Sequence, residues 1–114
     1  MHEMALAASM LEIVEGTAHR IGAERVNAVW LEIGALSHVE PDALRFCFDA
    51  VTRGSLAERA RLEIVVTPGT AWCMPCGTTV ALPALGAPCP QCGTYQLTVS
   101  TGESMRVMEI EVAS

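Results

Sequence analysis

Two short cysteine pairs constrain this chain more than any other feature. Cys73-Met74-Pro75-Cys76 is followed by twelve residues and then by Cys89-Pro90-Gln91-Cys92, with a glycine, Gly77 or Gly93, directly after each pair. Each Cys-x-x-Cys turn sets two thiolates at about 2.3 Å from a shared ion, and two such turns complete the tetrahedral set that Zn(2+) takes in structural sites. The intervening residues are too few to build a core. Metal binding therefore has to supply the folding energy of this segment, on the order of 10 kcal/mol, and the segment is expected to be disordered without it. Four thiolates leave no open position, so the site reads as a structural staple rather than a catalytic zinc. Spacing alone leaves an iron centre of the rubredoxin type open. A redox dithiol fits less well, because it needs one cysteine pair and here there are two matched ones. The fifth cysteine, Cys47, falls on an apolar helical stripe and reads as a small core residue.

The setting favours metal over disulfides. No apolar run approaches the ~20 residues of a membrane span, and no basic region opens a signal peptide, so the chain is expected to start at Met1 and to stay in the cytoplasm, where thiols remain reduced. With 114 residues and 51% apolar content there is room for one compact domain, or a small domain plus a stapled module. Seven basic residues, all arginine, face thirteen acidic ones for a net charge of -6. That balance argues against a nucleic-acid partner, since phosphates reward clustered cations, and favours protein and metal partners.

Periodicity outlines the rest. Leu6, Met10, Ile13 and Thr17 recur at helical spacing with Glu12 and Glu15 off the stripe, predicting an amphipathic helix over roughly residues 4–20 that Gly22 stops. From Arg25 to Gly34, Val29, Leu31 and Ile33 alternate with Val26, Ala28 and Trp30, which predicts a strand buried on most of both faces. Pro41 and Asp42 open a second helix whose stripe is Leu44, Cys47, Phe48 and Val51 and which stops near Gly54. Leu62, Ile64 and Val66, alternating with Glu63 and Val65, make the next strand, and Pro68-Gly69 ends it. Strand, helix, strand at this spacing is a crossover unit with parallel strands. After Gly69 the periodic pattern stops until about residue 104. A last strand then sets Met108, Ile110 and Val112 against Glu109 and Glu111. The expected fold is α+β: a three-stranded mixed sheet with two helices, plus a four-cysteine zinc-ribbon module inserted between the second and third strands. The corresponding domains are 1–69, completed by about 99–114, and the module at 70–98.

The opening residues form a second candidate site. In Met1-His2-Glu3 the free α-amine, the backbone nitrogen of His2 and its imidazole Nδ1 can close adjacent five- and six-membered chelate rings, a nitrogen set suited to square-planar Ni(2+) or Cu(2+). A carboxylate from Glu3 or elsewhere would complete it. Without further support the bland reading is a frayed, solvated terminus. Glu40 reads first as a carboxylate stabilised by the N-terminus of the second helix, His38 as a loop residue, and His19 as a cation complementing the C-terminal end of the first helix.

Together these pieces resemble one family. The Met-His-Glu start, the amphipathic first helix, the run Arg25-Val26-Asn27-Ala28-Val29-Trp30-Leu31-Glu32-Ile33-Gly34, the segment Leu44-Arg45-Phe46-Cys47-Phe48-Asp49 and the paired knuckles before a final strand are similar, in order, to HypA/HybF. The resemblance implies a nickel metallochaperone rather than an enzyme, working with the GTPase HypB to deliver nickel to the large-subunit precursor of nickel-iron hydrogenases. Some members also support urease maturation. It implies nickel at Met1 (amine), His2 and Glu3, with Glu40 as a further carboxylate, in a nickel-binding domain, and structural zinc on Cys73, Cys76, Cys89 and Cys92. The knuckle separation is shorter than in several relatives, which bears on any partner contact made by the module. A zinc-ribbon adaptor in transcription or RNA processing is the rival reading, and it leaves His2 unexplained. Either a monomer or a homodimer is compatible with these features.

Overall fold

The computed structural model describes residues 2–113. The elements run α1 (Glu3–Arg20), β1 (Arg25–Gly34), α2 (Pro41–Thr52), β2 (Arg61–Thr67), β3 (Thr70–Cys73), β4 (Thr78–Ala81), β5 (Leu97–Thr101) and β6 (Met105–Ala113). They form two three-stranded sheets, ordered β2-β1-β6 and β4-β3-β5. The chain divides into two compact units: Met1–Leu31, Val39–Val65 and Arg106–Ser114 in the first, Glu32–His38 and Val66–Met105 in the second. Among the described residues no helix is long and apolar enough to cross a membrane.

In the first unit, α1 and α2 pack together. The face that α1 buries is Ala7, Met10, Val14 and Ala18, which corrects the expected stripe of Leu6, Met10, Ile13 and Thr17. Ile13 is exposed. Two of the four buried positions are alanines, which carry little hydrophobic signal yet permit close helix approach, so the larger Leu6 and Ile13 draw a sequence reading one position aside. The helix ends in a Schellman arrangement: the amide of Ala23 donates to Ala18 and that of Gly22 to His19, satisfying carbonyls that the last turn leaves open. Pro41 starts α2, and Glu40 caps it by accepting from the Asp42 amide at 3.4 Å. Leu44 and Phe48 are fully buried, each contributing about 1.5–3 kcal/mol. Thr52 is buried too, with its hydroxyl donating to the Phe48 carbonyl at 2.8 Å, so no polar group is stranded.

β1 is buried on most of both faces, as its Val, Ile and Leu content requires. The Ala35 amide donates to Thr67 just past the C-terminal end of β1, the register of a parallel β1/β2 pair. At the other edge Glu24 bonds Ala113 and Gly34 bonds Ser104, so β6 runs antiparallel. Met108 on β6 is exposed.

The second unit holds a sheet that the sequence pattern does not announce. β3 pairs antiparallel with β4 and with β5, with Ala71 opposite Val80 and Val99. Its apolar cluster is small: Leu36, Ala71 and Leu82, with Ala87, Leu97 and Val99 against them. Backbones here touch. A Cβ on Gly34 would run into the carbonyl of Gly102 and stand 2.8 Å from the Glu103 nitrogen, and one on Gly102 would stand 2.6 Å from the Cα of Gly69. A Cβ on Gly69 would stand 2.4 Å from the Leu82 carbonyl oxygen. All three positions are therefore restricted to glycine by main-chain atoms that cannot swing aside.

Gly34→Ala is expected to cost roughly 3 kcal/mol because its methyl group meets backbone. Gly86→Ala, where φ is +85° but nothing lies within 4 Å, should cost only about 1–2 kcal/mol. Denaturant unfolding of the two metal-loaded variants checks this, and equal losses would refute the close-approach argument.

Candidate metal centre

The two knuckles are built alike. In each, the amide of the trailing glycine donates to the carbonyl of the first cysteine, Gly77 to Cys73 at 2.8 Å and Gly93 to Cys89 at 2.9 Å. Both glycines take positive φ, 63° and 76°, which folds the backbone under the sulfurs at no steric cost. β3 delivers Cys73 from its C-terminal end, β4 follows the first knuckle, and β5 follows the second.

The four sulfurs converge, all within 4.8 Å of one another. Cys73 Sγ lies 3.6 Å from Cys92 Sγ and Cys76 Sγ lies 3.9 Å from Cys89 Sγ. These are not disulfide separations, which are about 2.05 Å. They match the edge of a tetrahedron with about 2.3 Å arms, about 3.8 Å, so the cluster fits a thiolate-bound metal ion. Cys73 and Cys89 are buried beside Val80, while Cys92 is exposed. Cys47, half-buried on α2, is not among the four.

Protonation differs around the ring. Backbone amides of Cys92 and then Gln91 stabilise the Cys89 thiolate against burial and bring its pKa down to about 7. Side-chain hydrogen bonds to Cys92 and Cys73, with burial behind them, push Cys76 up to about 12. Burial raises Cys73. Cys89 therefore ionises more readily than Cys73 and Cys76, whose thiolates a cation at the centre of the cluster would stabilise.

At the other candidate site, Met1 lies outside the described residues. His2 is exposed, serves as N-cap of α1 without a side-chain capping bond, and gives its carbonyl to the Leu6 amide at 3.1 Å. Glu3 Oε2 accepts from the Glu40 backbone amide at 3.3 Å. This contact joins the starts of the two helices, and no sequence pattern marks it because the residues lie far apart in the chain. The hydrogen bond from the Glu40 amide holds the Glu3 carboxyl below its ordinary value. His38 is exposed in its loop, with φ of 62°, and His19 is exposed in the last turn of α1.

The profile of the family described as hydrogenase/urease nickel incorporation, metallochaperone, hypA matches residues 1–112. A hydrogenase maturation factor HypA from Rhodopseudomonas palustris (strain BisB5) is 59% identical over 112 residues, spanning 98% of this chain and 99% of that protein. Another, from Albidiferax ferrireducens, is 56% identical over the same shares. A solution structure of the Ni metallochaperone HypA from Helicobacter pylori is similar with a TM-score of 0.72 at 24% identity, over 98% of this chain and 97% of that one. A second solution structure of a HypA protein gives 0.73, also at 24% identity, over 99% and 97%. At that identity the two structures speak for the fold alone.

Two outcomes follow from this geometry. Chelating the metal, or replacing Cys89 with Ser, should abolish amide protection in the second sheet while leaving the helical circular dichroism of α1 and α2 largely in place; retained protection would mean that the small apolar clusters suffice. For Glu3, a lowered folded pKa means that the contact's contribution is present above the ordinary glutamate range and lost as pH falls through the folded value. The Glu40 amide resonance should then titrate with a midpoint below 4.5, and that titration should vanish in Glu3→Gln.

Proposed function

Since the chain belongs to the HypA family of hydrogenase/urease nickel-incorporation metallochaperones, we propose that it carries Ni(2+) on its N-terminus for hydrogenase maturation while Zn(2+) holds the cysteine module. The donors are the Met1 amine, the His2 amide nitrogen and the His2 Nδ1, with a carboxylate of Glu3 or Glu40 nearby. The observation that carries this reading is the helix start. Because α1 takes its first hydrogen bond from the His2 carbonyl, the His2 amide lies outside the helical ladder and can bind metal without breaking it. The positive end of the helix dipole favours the anionic amide and carboxylate ligands that would gather there. The bond from the Glu40 amide to Glu3 Oε2 brings the start of the second helix beside Glu3, so the Glu40 carboxylate is held close to it.

The division of labour follows the two units, with Met1–Leu31, Val39–Val65 and Arg106–Ser114 serving nickel and Glu32–His38 with Val66–Met105 holding zinc. Soft thiolates suit zinc, and nitrogen donors on a chain end suit nickel, which can be taken from a terminus without opening a core. The chain acts as a carrier, not an enzyme, in the cytoplasm. It passes nickel, together with the GTPase HypB, to the hydrogenase large-subunit precursor or to urease maturation proteins. A zinc-ribbon adaptor would account for the cysteines and leave the N-terminal arrangement without a purpose.

Nickel titration by calorimetry tests the site. His2→Ala, and a chain extended by one residue before Met1, should each lose nickel affinity by more than about tenfold while retaining one zinc per chain. Because amine and imidazole bind protons as pH falls, affinity should also be weaker at about pH 6 than at about pH 8. Unchanged nickel binding in both variants would move the site elsewhere.

A further inference from the structure

From Ile64 to Gly102 the chain contains no Asp, Glu, Lys, Arg or His. The stretch takes in both cysteine knuckles and the whole of the second sheet. A solvated protein surface normally carries roughly a quarter or more charged residues. Their depletion is instead the mark of the centre of a protein interface.

The exposed side chains agree. Trp72, Met74 and Tyr95 are 43%, 69% and 73% exposed, and Trp and Tyr are the types on which binding energy concentrates. Trp72 sits in the central strand opposite Thr79 on β4 and Thr98 on β5. Its neighbours Ala71 and Cys73 are fully buried, and alternate residues of a strand face opposite ways. One face of the sheet therefore builds the metal centre, and the other presents a tryptophan among uncharged threonines. The same unit holds a groove of about 460 Å³ lined by Pro68, Leu82, Pro83 and Pro90. Proline has no N–H to donate, so these walls suit an apolar side chain.

Charge selects the occupant. Four thiolates around a divalent ion carry a net charge of about −2, and Cys92 is the exposed member of the four. The carboxylates of this unit, Glu32 and Glu103, add to the negative charge, and the unit has no Lys or Arg. A second copy would set like charges together.

We propose that the face of the cysteine module that carries Trp72 is a docking surface for a different protein, one presenting an apolar patch edged by arginine or lysine. The inference rests on the family reading only for its probes, the purified hydrogenase large-subunit precursor and the GTPase HypB. Binding of the zinc-loaded chain to each is measured for the native protein, Trp72→Ala and Tyr95→Glu, with zinc stoichiometry and nickel affinity recorded alongside. Tyr95 lies outside the strands, so its variant carries the test where Trp72→Ala loses zinc. The expected result is at least about tenfold weaker binding to one probe with zinc and nickel unchanged. Full affinity in a zinc-replete variant, or no binding of native protein to either probe, overturns the proposal. So does concentration-dependent self-association that these substitutions abolish, which would make the face homotypic. Loss of nickel binding in His2→Ala reports on the carrier reading separately.

Discussion

Four sulfur atoms brought within tetrahedral reach of one another set the terms for a large part of this molecule. The strands they anchor are four or five residues long, and the apolar clusters beneath them hold a few small side chains. Two of the buried members of one cluster are the cysteines Cys73 and Cys89 themselves. The metal site is thus part of the core rather than an addition to it, and core and coordination sphere stand or fall together. Backbone amides aimed at Cys89 stabilise its thiolate within that ring.

The helix starts follow the opposite logic. On the proposed function, the groups offered to a metal there are nitrogens and carboxylates at the ends of elements rather than thiolates in a closed ring. A site of that kind holds its ion through few supporting contacts. Residence is then limited by local motion of a terminus, whereas release from the cysteine cluster requires dismantling a sheet. On the proposed function, one small chain keeps one metal and surrenders another.

Much of this is legible in the sequence for definite reasons. β1 spans Arg25–Gly34 as its alternating apolar residues indicate, and the start of α2 follows from Pro41 and Asp42. The cysteine spacing locates the metal cluster without help from the fold. The buried face of α1 escapes a sequence reading because Ala7 and Ala18 signal weakly. The second sheet escapes it because β3, β4 and β5 are short and rich in threonine, with too little apolar alternation to register. The bond from the Glu40 amide to Glu3 joins residues distant in sequence, and local patterns hold no record of such pairs.

The approach of Gly34, Gly69 and Gly102 has a consequence for how such a sequence can change over generations. The three are encoded far apart, at the ends of different strands, yet the space beside each is occupied by main chain, at Gly34 that of Gly102 and at Gly102 that of Gly69. Repacking side chains cannot accommodate a substitution at these places, because the obstacle is backbone. A lineage could replace Gly34 only by shifting the chain at Gly102, and Gly102 only by shifting it at Gly69, so a change at one of these codons carries a demand on another far away in the gene.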